Sequence, residues 1–170
     1  MNFKLSDLVR KFDRLIALHR YLIGKASLQN GLYLGQMPIL EYIGQHENCT
    51  QREVADFVRV SAPSIATSVK RLQKAGLIEK RSDLNDLRSN RLSITEKGRR
   101  LTAACRQSFD QIDQLTFSGF SQDELAQLYD YLERLIGNLT SGERQALKDK
   151  DTRSLRSEAD QEQILAQQED

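Results

Sequence analysis

A mainly α-helical fold with one small β-hairpin is the architecture that this 170-residue sequence predicts. Three observations predict it: apolar residues recur at helical spacing in five stretches, residues 91–94 alternate polar and apolar, and a run of turn-forming residues precedes that alternation. The length fits one domain with its own core. We expect this domain to span residues 1–140, followed by a polar tail over 141–170 that is partly helical or disordered.

The first predicted element is one long helix over residues 4–30. Its apolar residues recur mostly three and four positions apart, which is the spacing of one helical face: Leu5, Leu8, Phe12, Leu15, Ile16, Leu22 and Ile23. The face is longer than a small domain needs for its own core, so it is a candidate partner surface.

A short helix, Gln51–Val58, is predicted to begin at a capping box. Thr50 is followed three residues later by Glu53, a pair in which each side chain accepts a hydrogen bond from the other residue's backbone N–H. Val54, Ala55 and Val58 give this helix one apolar side. Residues 59–61 then form a turn.

The next helix is predicted over residues 62–75. Ser61 is a favourable N-cap, and Pro63 lies in the first turn, where its missing N–H costs nothing. Ile65, Val69 and Leu72 form the stripe that should be buried.

The side chains outside that stripe are small, hydroxylated or cationic, and such a face can lie against DNA. Serine and threonine hydroxyls bond base edges or phosphates, a threonine methyl can touch a thymine methyl, and lysine and arginine neutralise phosphates. We call the helix over residues 62–75 the recognition helix. Its predicted DNA contacts are Ser61, Pro63, Ser64, Thr67, Ser68, Lys70, Arg71 and Lys74.

A β-hairpin is predicted after Gly76. Glycine there supplies the left-handed conformation that ends a helix, with Leu77 packing back on Leu72. Strands follow at 77–81 and 91–94, joined by a loop rich in turn formers. Residues 50–98 therefore read as a winged helix-turn-helix, with the loop as its wing.

The wing contains a carboxylate two residues before an arginine, Asp86 and Arg88. Charge-assisted hydrogen bonds from such a carboxylate can hold a guanidinium in one orientation. A fixed cation at a hairpin tip suits a narrow minor groove, where negative potential is concentrated. The predicted DNA contacts of the wing are Arg81, Asn85, Asp86, Arg88 and Asn90.

Two further helices are predicted between Thr95, which caps the first, and residue 139. Ser121 and Glu124 form the capping box of the second. Their apolar stripes also exceed what a winged helix needs, so residues 4–30 and 99–139 are expected to be dimerisation helices. The alternative is that they cap a monomer.

The middle of the chain closely resembles the MarR (multiple-antibiotic-resistance regulator) family of bacterial transcription factors. The resemblance rests on a combined motif that includes Leu72, Gly76, Leu77, Ile78, Arg81, Asp86, Arg88, Leu92, Thr95, Glu96 and Gly98. It extends in pattern over roughly residues 4–139, and residues 36–40 look like the family's second helix. One departure is Thr67, at a position that is often basic in the family.

The resemblance implies a homodimer that binds double-stranded DNA at a pseudo-palindromic operator, most often as a repressor. It also implies a small anionic or aromatic effector bound between the dimerisation helices and the winged domain. Here that region would include His19, Arg20, Tyr33 and Tyr42, although each is equally well explained by packing or surface exposure.

The charge of the chain is uneven. The net charge is +1, but residues 50–100 contain 12 Lys and Arg against 6 Asp and Glu, a net of +6, which leaves −5 on the rest. Such a concentration is typical of a phosphate-binding face, although solvated surface charges would give the same count.

Residue types for other chemistry are sparse. No catalytic arrangement, metal site or cofactor motif stands out; residues 46–49 contain metal-ligand types without a second cluster. Cys105 lies on an apolar stripe, whereas Cys49 precedes a helix N-cap, where a thiolate can be stabilised; a redox switch there is the less favoured alternative.

No apolar run is long enough for a membrane span, and no secretory signal opens the chain, so we expect a cytoplasmic protein.

A rival function is a winged helix that docks on other proteins without specific DNA binding. The basic wing tip argues against it, because a protein-docking surface gains little from an unpaired arginine.

Overall fold

The computed structural model describes residues 4–33, 35–82, 90–141 and 155. Within them the chain forms six helices and three strands, in the order α1 (Leu5–Gln29), α2 (Gln36–Gln45), β1 (Cys49–Thr50), α3 (Gln51–Val58), α4 (Ala62–Lys74), β2 (Ile78–Ser82), β3 (Asn90–Ile94), α5 (Glu96–Thr116) and α6 (Gln122–Thr140). The predicted helices and the predicted hairpin strands are confirmed. The bounds given for α1, α3, α4, β2 and β3 hold within a residue or two, and α2 continues five residues beyond the predicted segment 36–40.

The local signals for helix ends act as predicted. Thr50 Oγ1 accepts the Glu53 N–H at 3.2 Å, and the Glu53 carboxylate accepts the Thr50 N–H at 2.6 Å. At the end of α4 the chain forms a Schellman motif, in which the Leu77 N–H donates to the Leu72 carbonyl at 3.0 Å. Gly76 adopts the required positive φ of 70°.

The sheet has one strand more than the sequence analysis predicts. Its order is β1-β3-β2, all antiparallel, with Cys49 opposite Leu92 and Lys80 also opposite Leu92 on the other side. The extra strand was missed because two residues are too few to show alternation. Its second residue, Thr50, also carries the N-cap signal of α3.

The core lies between α2, α3, α4, the sheet and α5. Leu40, Ile43, Val54 and Leu92 are fully buried, and Cys105 of α5 joins them, as its place on an apolar stripe predicts. Ile65, Val69 and Leu72 are each 1% exposed, so the predicted stripe of α4 is its buried side. This packing fixes which face of α4 points outward.

The outer helices keep most of their apolar side chains exposed. In α1 the buried residues are Ala26 and Ser27, and in α6 the buried residue is Thr140. Exposed apolar side chains run along both helices: Leu5, Leu8, Val9, Phe12, Leu15, Ile16, Tyr129, Leu132, Leu135, Ile136 and Leu139. Across the described residues, no helix combines the length and apolar character needed to cross a bilayer.

Candidate nucleic-acid interface

The face of α4 opposite its buried side is exposed along the whole helix. It consists of Pro63, Ala66, Thr67, Lys70 and Lys74, at helical spacing, and we call it the outer stripe. Its first two turns carry small side chains, and its last two carry cations. A helix with small side chains can approach a partner surface closely, and the lysines lie one and two turns farther along.

The hydroxyl groups at the start of α4 are engaged within the protein. Ser61 Oγ accepts the Ser64 N–H at 3.4 Å, and the two serine hydroxyls lie 2.9 Å apart. Thr67 Oγ1 donates to the Pro63 carbonyl at 3.0 Å. The predicted N-cap role of Ser61 is therefore confirmed. In the protein alone, the hydroxyls of Ser64 and Thr67 already form hydrogen bonds within α4 and its cap.

Three of the predicted contact residues, Ser64, Ser68 and Arg71, lie on the flank of α4 that faces α1 and α2. Ser68 is half-buried, and the Arg71 guanidinium lies 5.6 Å from the centre of the Tyr33 ring. All three line a cavity, which places them beside the outer stripe, at its edge. The sequence analysis did not separate these cavity-lining residues from the outer stripe, because the α4 pattern alone does not show what packs on each flank.

That cavity, of about 720 Å³, lies between α4 and helices α1, α2 and α5. Arg20, Arg71 and Arg106 line it, and Arg106 is ion-paired with Glu41. His19 is also on its wall, where Nε2 lies 2.9 Å from the Asp113 carboxylate. The structure thus brings together three of the four residues named from the sequence: His19, Arg20 and Tyr33.

Tyr42, the fourth, is placed elsewhere. Its ring stacks on His46 with centres 4.2 Å apart and contacts Phe57 at 4.5 Å. Burial raises the pKa of the Tyr42 hydroxyl, with a smaller contribution from the Glu53 carboxylate. These contacts assign Tyr42 to packing between α2 and α3.

The hairpin carries cations up to the end of its described part. Arg81 lies opposite Arg91 across β2 and β3, and Asn90 lies opposite Ser82. The Arg81 guanidinium donates to Glu79 at 2.8 Å and is mostly exposed. Asn85, Asp86 and Arg88 fall outside the described residues, so their predicted contacts remain predictions.

Cys49 lies in an environment that disfavours a thiolate. It is 5% exposed, and burial, aided by the Glu53 carboxylate, raises the pKa of its thiol to about 11. This opposes the alternative that Cys49 is a redox switch, because oxidants react with the thiolate. Within the described residues, no group of three or more metal-ligating side chains is positioned to hold an ion.

Comparisons with known proteins agree with this geometry. The MarR family model matches residues 30–89. The HTH-type transcriptional regulator BilQ of Clostridium symbiosum is 34% identical over 115 residues, which cover 67% of this chain and 80% of that protein.

Solved structures share the fold. The YusO protein of Bacillus subtilis has a TM-score of 0.71 at 19% identity, covering 78% of this chain and 94% of that one. An S. aureus MepR mutant bound to an oligodeoxyribonucleotide has a TM-score of 0.61 at 23% identity, covering 81% of this chain and 99% of that one. The core fixes α4 within a winged helix, and these relatives share the sequence or the fold. The chain therefore belongs to the MarR family of transcriptional regulators.

Proposed function

We propose that this protein binds double-stranded DNA in a sequence-specific manner and regulates transcription, with α4 in the major groove. The observation that carries the proposal is the outer stripe of α4. It is exposed from Pro63 to Lys74, while Ile65, Val69 and Leu72 anchor the opposite side in the core. A major groove is wide enough to admit a helix held in this way.

Cationic side chains around α4 are proposed to hold the DNA backbone. Lys70 and Lys74 extend from the outer stripe, Arg71 from its edge, and Arg81 from β2. Ser61, Pro63, Ser64, Thr67 and Ser68 lie on or beside the part of α4 proposed to enter the groove. In the wing, Arg88 is proposed to enter the minor groove, oriented by Asp86 and flanked by Asn85 and Asn90.

We also propose that the functional unit is a homodimer. The apolar side chains of α1 and α6 are exposed in the single chain, and an exposed apolar surface of this extent is typical of a partner interface. A two-fold axis would place two copies of α4 about 34 Å apart, one helical turn of DNA. The operator is then an approximate palindrome.

A small anionic or aromatic ligand is proposed to release a repressor from DNA by binding the cavity beside α4. Arg20 and Arg71 supply cationic groups there, and Tyr33 and Phe109 supply aromatic surface. The ligand would act by binding more tightly to the conformation with the lower DNA affinity, since only such a difference shifts the equilibrium.

The test is a DNA-binding titration with sequences selected from a random library, from low to moderate salt. Specific binding should weaken steeply with salt because cations at the interface release counterions from DNA. Lys70→Gln should lower the salt slope by about one, whereas Lys11→Gln, on α1, should leave the slope unchanged. If no sequence is enriched, the winged helix is instead a protein-docking surface.

The wing is tested by Arg88→Ala. We expect weaker binding to all sequences and a salt slope reduced by about one phosphate equivalent, because the lost contact is electrostatic. Arg14→Ala, which removes an exposed arginine of α1, is the matched control. Unchanged affinity in Arg88→Ala would remove the wing tip from the mechanism.

A further inference from the structure

The first half of the outer stripe forms a small apolar patch. Pro63, Ala66 and Thr67 are spaced by three and four residues, so they adjoin one another on one face of α4. All three are exposed. We call this group the apolar patch.

Thr67 belongs to this patch through its methyl group. Its hydroxyl is turned back to the helix and donates to the Pro63 carbonyl at 3.0 Å. The proton that a hydroxyl would give to a base acceptor is therefore already used, so the oxygen can only accept from a base amino group. The Cγ2 methyl is the apolar part of the side chain that is free for an outside contact. The nearby Ser61 and Ser64 hydroxyls are also 2.9 Å from each other.

An apolar surface in a major groove discriminates between bases in one way. All four bases present hydrogen-bonding groups there, and thymine is the one that also presents a methyl group, at C5. Contact with that methyl removes apolar area from water, and contact with the other bases leaves their polar edges without partners.

Resting on the proposed DNA binding, we infer that the apolar patch reads thymine C5 methyl groups and that Thr67 contributes its methyl rather than its hydroxyl. Each operator half-site then contains at least one thymine whose methyl meets the patch. Lys70 and Lys74, one and two turns farther along, hold phosphates and do not distinguish this thymine from uracil.

The test replaces thymines by uracils, one at a time in each half-site, in a sequence selected from random DNA. Uracil pairs as thymine does but lacks the methyl. For the wild type, binding followed by fluorescence anisotropy should weaken about fourfold per half-site at the contacted thymine, the free energy of one buried carbon. Uracil elsewhere in the half-site should have little effect.

Two variants at position 67 separate methyl from hydroxyl. Thr67→Val keeps the methyl and should retain the thymine-to-uracil ratio of the wild type. Thr67→Ser keeps the hydroxyl and should weaken binding about fourfold per half-site, so about sixteenfold for a dimer on the thymine operator, with the thymine-to-uracil ratio reduced toward one. Because residue 67 is exposed, both variants should melt at nearly the wild-type temperature, which is checked by circular dichroism.

Three results would overturn the inference. If no uracil position weakens binding of a selected operator, the patch reads no methyl, although DNA binding stands. If Thr67→Ser keeps the ratio and Thr67→Val loses it, the hydroxyl is the reading group. If selection enriches no sequence, the proposed function fails and this inference fails with it.

Discussion

Gly98 is the described glycine at which an added side chain would meet the closest neighbouring atoms. A Cβ added there would overlap the Leu77 carbonyl oxygen and lie 2.7 Å from Ile94 Cγ1. The approach is close because Thr95 joins the start of α5 to the end of α4, donating from its hydroxyl to the Gly76 carbonyl at 2.8 Å. This contact orients α5 relative to the recognition helix.

We predict that Gly98→Ala lowers the free energy of unfolding by about 1–3 kcal/mol, because the backbone must move to accept the methyl. The control is Gly44→Ala, whose added Cβ would lie 3.5 Å from Ile94 Cδ1, an ordinary contact. At the penultimate position of α2 this change should be neutral or stabilising by up to about 1 kcal/mol. Urea denaturation measures both; equal stabilities would contradict the proposed clash.

The raised pKa of Cys49 predicts an unreactive thiol. With a pKa of about 11, roughly one thiol in a thousand is ionised at pH 8. Alkylation by iodoacetamide should therefore be slow in the native protein and accelerate as the pH rises toward 11. Urea should restore an ordinary rate at pH 8. Peptide mapping distinguishes Cys49 from Cys105; rapid modification of native Cys49 near neutral pH would revive the redox alternative.

At the scale of elements, the capping box of α3 links helix stability to pH. The Thr50 N–H and hydroxyl both donate to the Glu53 carboxylate, and these bonds lower the pKa of that carboxyl. A lowered folded-state pKa means that the stabilisation is present above the ordinary value of 4.5. It is lost as the pH falls through the lower, folded-state value.

We therefore predict that Glu53→Gln reduces the stability lost on acidification from about pH 6 to about pH 3, because the substituted side chain cannot titrate. The urea midpoint at each pH measures this, and Glu133→Gln, an exposed carboxylate of α6, should follow the wild type. Thr50→Ala should lower the free energy of unfolding by about 1 kcal/mol near neutral pH, because the N-cap hydrogen bond is lost. Wild-type acid sensitivity in Glu53→Gln would rule out this carboxylate as the titrating group.

At the scale of the whole molecule, the exposed apolar stripe of α6 is the surface on which the proposed dimer rests. Leu132, Leu135, Ile136 and Leu139 lie on one side of α6, and together they expose more apolar surface than a monomer helix usually retains. A second copy is the occupant that the proposed function requires, because two recognition helices read two half-sites.

The double variant Ile136→Glu/Leu139→Glu should convert a dimer into a monomer and reduce operator affinity, since each carboxylate would be buried without a partner. Sedimentation equilibrium gives the mass, and Gln127→Glu, on the polar side of α6, should remain dimeric. A monomeric wild type would refute the proposed dimer. A dimer that survives both carboxylates would place the interface elsewhere.

Structural features that depend on residues close together in the chain could be predicted from the sequence. The capping boxes at Thr50 and Ser121, the glycine stop at Gly76 and the buried stripe of α4 all depend on residues within a few positions of one another. Helix propensity, capping and periodicity act over that range. For this reason the helices, the hairpin and the outward face of α4 followed from the sequence.

The tertiary structure alone decided which distant residues meet. His19 bonds Asp113 across 94 positions, Arg71 lies over Tyr33, and β1 pairs with β3 far along the chain. Such contacts depend on how helices pack, and no local pattern encodes them. The cavity beside α4, the placement of Ser68 on its wall and the burial of Cys49 follow from that packing, whereas the recognition helix follows from the order of its own residues.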